Sequence, residues 1–105
     1  MYLKPHCFLK TVTTAGTQVP LRTNNIRAVA VTLTAERSNT GYVYVGDSEV
    51  SSTNYGFDLM AGDSYTISPV EFGLATAHIS LKDIWLDVSV SGDGVSVLFW
   101  EVVEE

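Results

Sequence analysis

The sequence predicts an all-β fold: a single β-sandwich domain over residues 1–105, built from short antiparallel strands. Three observations predict it. Arg27 to Glu36 alternates strictly, with Val29, Val31, Leu33 and Ala35 on one face and Ala28, Ala30, Thr32 and Thr34 on the other. Ile84 to Ser91 alternates in the same way, with Ile84, Leu86, Val88 and Val90 inward and Trp85, Asp87 and Ser89 outward. Turn signals recur at about 8–12 residues and separate roughly seven or eight strand-like runs, the pattern of a sandwich or barrel. A jelly roll is the preferred topology. An immunoglobulin-like sandwich is the alternative, without a Cys…Trp…Cys framework to support it.

Along the chain, Cys7 to Ala15 carries β-formers in loose alternation and stops at Gly16. Val19-Pro20-Leu21 and Thr23-Asn24-Asn25 read as an irregular connection, because proline lacks a ladder donor and suits an edge or a turn. Arg37 to Gly41 is a turn in which Asn and Gly tolerate positive φ. Tyr42 to Val45 then returns, valines on one face and tyrosines on the other, as the second arm of a hairpin. Asp47 to Asn54 is a polar loop, and Tyr55 to Leu59 a short strand. Ala61-Gly62-Asp63 is a tight turn before a strand over Ser64 to Ser68. Val70 to Ala77 reads equally as one helical turn or an ordered loop. Ser91-Gly92-Asp93-Gly94 has the composition of a hairpin turn. Val95 to Val103 is a strand apolar on both faces: Val95, Val97 and Phe99 on one, Leu98, Trp100 and Val102 on the other. Glu104 and Glu105 are expected in solvent.

Composition bounds the function. The chain has 105 residues, 46% apolar and 17% charged, with a net charge of −6. So few charges on a small domain suggest that part of its surface is covered by a partner or is made of Ser and Thr. The basic residues are scattered through the sequence, which argues against nucleic acid and against an anionic membrane surface as partners. One cysteine, Cys7, excludes an intramolecular disulfide and fits assembly in a reducing cytoplasm. The first residues have neither the basic start nor the apolar run of a signal peptide, and no stretch reaches transmembrane length.

The block from Ile26 to Pro69 resembles the small β-sandwich structural proteins of tailed bacteriophages, of the capsid decoration or cement type. The residues that carry the likeness are the alternating strand, Asn39-Thr40-Gly41, Tyr44-Val45-Gly46-Asp47 and Leu59-Met60-Ala61-Gly62-Asp63-Ser64. It spans roughly half the chain, and its motifs are turns and strands rather than chemistry. The resemblance implies a virion protein made in the host cytoplasm, without cofactor, which binds the major capsid protein on the outer shell and stabilises it. It also implies self-association as a dimer or trimer, since capsid axes impose symmetry. A head–tail connector or tail component is the alternative within the virion. A carbohydrate-binding module is the alternative outside it.

No constellation of catalytic type stands out. Gly46-Asp47-Ser48 is reminiscent of serine esterases, but the chain lacks their Asp-x-x-His and is too short for their fold. It reads instead as a strand-ending turn capped by Asp47. His6 and Cys7 are adjacent and point to opposite faces of a strand, so no metal site is expected from them. Cys7 is expected as a small buried hydrophobe and the histidines as surface groups. Gly92-Asp93-Gly94 lacks the alternating ligands of a calcium loop. Glu36, Asp58, Glu71 and Asp87 read as solvated carboxylates. The aromatics opposite the valine faces are the candidate partner interface: Tyr42, Tyr44, Trp85 and Trp100.

Overall fold

The computed structural model describes residues 2–68 and 78–103. It is an all-β sandwich of two four-stranded antiparallel sheets. Sheet A has the order β1 (Tyr2–Thr11), β10 (Gly94–Val103), β4 (Ala30–Ala35), β7 (Ser64–Ile67). Sheet B has the order β2 (Val19–Pro20), β9 (Trp85–Val88), β5 (Val43–Gly46), β6 (Phe57–Leu59). A small ladder joins β3 (Arg27–Ala28) to β8 (Ile79–Ser80), and a 3-10 turn covers Leu81–Asp83. The stretch Val70 to Ala77, with Glu71, and the two terminal glutamates lie outside the described residues.

The pairings nest. First pairs with last, β1 with β10; then β2 with β9, β3 with β8, β4 with β7, and β5 with β6 innermost. Rolling that long hairpin closes the sheets through two further contacts, β10 with β4 and β5 with β9. One apolar cluster fills the space between the sheets. Val31, Leu33, Val95 and Val97 come from sheet A, and Val43, Val45, Leu86 and Val88 from sheet B. These are the alternate positions that the period-2 pattern marks as inward.

Several expectations are corrected. Val29 does not continue one strand from Arg27 to Glu36. Its N–H donates to the carbonyl of Trp100, the residue already paired with Ala30, so two residues oppose one in a bulge. The bulge shifts the alternation, which buries Ala28 with Val31 and leaves Val29 half-buried. β1 begins at Tyr2, five residues before the expected start. Its Pro5 is tolerated because β1 is an edge strand. Val19–Pro20 is a strand at the edge of sheet B rather than irregular.

Neither expected hairpin forms. β4 lies in sheet A and β5 in sheet B; β9 lies in sheet B and β10 in sheet A. The turns at Asn39-Thr40-Gly41 and Gly92-Asp93-Gly94 therefore carry the chain across the core. Val90 is exposed rather than inward, because β9 ends at Val88. The two crossings dock on each other at one end of the sandwich. Asp93 accepts the N–H groups of Thr40 and Gly41, and Asn39 bonds the backbone of Gly94.

Candidate docking interface

The outward positions of sheet A follow from the ladder register. Cys7 faces Leu98, Leu98 faces Thr32, and Thr32 faces Thr66, with a hydroxyl bond of 2.9 Å between the two threonines. In the next rows Pro5, Trp100 and Ala30 align, and Leu9, Ser96, Thr34 and Ser64 align. Leu3 faces Val102 beyond them. No position on this face carries a charged side chain. The described Asp, Glu, Lys and Arg residues all lie elsewhere. Leu9 is 70% exposed, Leu3 54% and Leu98 38%.

Burying such a face costs little, since there is no charge to strip of water. Ser and Thr hydroxyls can bond one another or a partner's backbone. The face is broad. β1 and β10 have ten residues each, β4 six and β7 four. At about 3.3 Å per residue and about 4.8 Å between strands, it covers roughly 500 Å² in projection. That is of the same order as the ~800 Å² one partner buries in a standard interface.

The four aromatic candidates do not share one surface. Trp100 is half-buried on the outward face of sheet A, between Pro5 and Ala30. Trp85 is half-buried on the opposite side of the molecule, on the outward face of sheet B between Pro20 and Gly46. Tyr44 lies on that same face but is only 9% exposed, because Tyr55 from the following loop packs on it at 5.0 Å. Tyr42 is 43% exposed at the crossing that precedes β5. Asp58, next to Tyr44 in the ladder, puts a carboxylate on the sheet B face. Leu3, Cys7, Leu9 and Leu98 complete the sheet A face, and the sequence reading omitted them. The double-sided apolar pattern of Leu98, Trp100 and Val102 was the signal, but it needed the pairing with β1 to become a surface.

Cys7 is exposed, not buried, because β1 is an edge strand whose odd positions face out. His6 is half-buried on the inner side. Its ring stacks on Phe99 at 5.0 Å, and Nε2 donates to the Glu101 carboxylate at 2.9 Å. Asp87 is buried rather than solvated; its Oδ1 accepts the N–H groups of Gly16 and Val88. Asp47 accepts the Glu49 N–H, so Gly46-Asp47-Ser48 is an Asx turn at the end of β5. Among the described residues no three His, Cys, Asp or Glu side chains converge as metal ligands. No helix there is long and apolar enough to cross a membrane. Compared with protein-family models, curated proteins and solved structures, the chain matches none.

Proposed function

We propose that this chain is a non-enzymatic structural protein that docks through the outward face of sheet A. The observation that carries the reading is the absence of charge across that face in a chain of net charge −6. Interface cores are depleted of charged residues and enriched in aromatic ones, and Trp100 stands in the row next to the central Cys7–Leu98–Thr32 row of this face.

The partner is proposed from the phage-like block of turns and strands. It is the major capsid protein of a tailed bacteriophage, with this chain as a decoration or cement protein on the outer shell. Binding only the assembled shell would stabilise it by mass action. A dimer or trimer would match the symmetry of a capsid axis. The nested strand pairing supports reading the sandwich as a jelly roll, a topology used by capsid proteins. The carbohydrate-binding alternative would use Tyr42, Tyr44 and Trp85, and Tyr55 packs on the Tyr44 ring of that platform.

The test is copy number per particle, by quantitative mass spectrometry of purified virions. Copies by the hundred, in fixed ratio to the major capsid protein, support decoration. A dozen or fewer move the protein to the connector or tail. Absence from the particle overturns the virion reading.

A further inference from the structure

We infer that the open edge of β1 is a strand-addition site for an extended acidic segment of a partner protein. The first support is the backbone. The carbonyls of Gly94 and Trp100 accept bonds from Glu36 and Val29, so even-numbered residues of β10 turn their backbone toward β4. Odd-numbered residues of β10 therefore turn toward β1, where the register sets them against even-numbered residues. Among the described residues nothing pairs with the N–H groups of Leu3, Cys7, Leu9 and Thr11, which lie on the open side of a ten-residue strand at the edge of its sheet. Pro5 has the same parity, so its missing N–H costs the fold nothing.

The second support is charge. The inner-side row of β1 is Lys4, His6, Phe8 and Lys10. Across a cleft of about 390 Å³ stands Arg22, its guanidinium 3.7 Å from the centre of the Phe8 ring. Arg27 lines a neighbouring cleft of about 400 Å³ that shares Ile26 and Glu101 with the first. Lys4, Lys10 and Arg22 thus stand along this edge of an acidic protein, with Arg27 in the neighbouring cleft. Among the described residues the one carboxylate on this side is Glu101, opposite Lys4 in the ladder and bonded to His6, and none of the four cations makes a salt bridge with a described carboxylate.

An added strand would place every second side chain opposite the Lys4–Lys10 row. Acidic residues at those positions make favourable cross-strand pairs. The side chains between them would extend the uncharged outward face, which favours Thr, Ser or apolar residues there. A second copy of β1 is the wrong occupant, because antiparallel pairing would set one basic row against another. The inference stands apart from the capsid reading: it concerns the edge and the cleft, not the outward face, and a failed copy-number test leaves it intact.

The probe is a blocked ten-residue peptide alternating Thr and Glu, with a Thr–Lys peptide as control. Binding is followed by backbone NMR and amide exchange on the whole chain. The Thr–Glu peptide is expected to protect the amides of Leu3, Cys7, Leu9 and Thr11, to bind more weakly as salt rises, and to outbind the Thr–Lys peptide. Leu9→Pro removes one open-side donor and should weaken binding about tenfold or more; Lys10→Glu should do the same without touching the backbone. The inference is overturned if a millimolar excess of the Thr–Glu peptide leaves those amides unprotected. It is equally overturned if the Thr–Lys peptide binds as well, or if the amides are protected without peptide in a dimer.

Discussion

The side-chain amide of Asn39 holds the backbone of Gly94 by two bonds: Nδ2 donates to the Gly94 carbonyl at 2.8 Å, and Oδ1 accepts the Gly94 N–H at 3.0 Å. Fifty-five residues separate the two in sequence. The pair fastens the β4–β5 crossing to the β9–β10 crossing, and Asn39 is buried there. Asn39→Ala leaves a buried N–H without its partner, and the carbonyl keeps only the bond from Glu36. The expected cost is about 2 kcal/mol, seen as a lower urea midpoint with an unchanged slope.

Gly94 is needed for space. A Cβ there would meet Thr11 Cα at 2.8 Å and collide with the Lys10 carbonyl, both backbone atoms that cannot rotate away. Gly94→Ala should destabilise by roughly 3 kcal/mol, as severe overpacking does. Gly16 provides the contrast. It has φ +89° but open space around a Cβ, so Gly16→Ala should cost only about 1 kcal/mol.

Asp87 sits in the strand that sequence alone would turn to solvent, yet it is 2% exposed and ties the loop at Gly16 to β9. Asp87→Ala removes the acceptor from two N–H groups. A loss of about 2–3 kcal/mol is expected in thermal or urea unfolding.

Leu98→Asp should separate docking from folding. The side chain is 38% exposed in the middle of the uncharged face, so stability should change by less than about 1 kcal/mol. If the proposed capsid docking holds for the native chain, the variant should lose co-sedimentation with capsids, since the new carboxylate would be buried without a partner. Retained co-sedimentation would remove sheet A as the docking face.

Cys7 gives an independent reading of the same surface. The native protein should react stoichiometrically with a maleimide, without denaturant, because the thiol is exposed on the outward side of β1. Bound to its partner through sheet A, it should be shielded.

Much of the fold was legible because period-2 alternation is local. Val31, Leu33 and Ala35, and likewise Val95, Val97 and Phe99, are core residues as their strands' patterns require. What failed was the reading of turns. Asn-Thr-Gly and Gly-Asp-Gly have the same composition whether the chain returns beside itself or crosses to the opposite sheet, since positive φ and side-chain capping serve both. The turn motifs have structural work here: Asn39 holds Gly94, Asp47 caps its own turn, and Asp63 accepts the Met60 N–H. Of the candidate interface residues, Trp100 faces outward as its strand's alternation indicates, whereas Tyr44 is covered by Tyr55, which arrives from a loop.

The sequence by itself determined the all-β class, the inward faces of the longer strands and the low charge fraction. Each is written in residues one or two positions apart. Only the tertiary structure decided that β1 pairs with β10, that the strands nest from the ends inward, and that Cys7, Leu98 and Thr32 form one row. Which strand lies beside which depends on closing loops of tens of residues around a shared core. The uncharged face and the basic edge exist only once those distant strands are side by side.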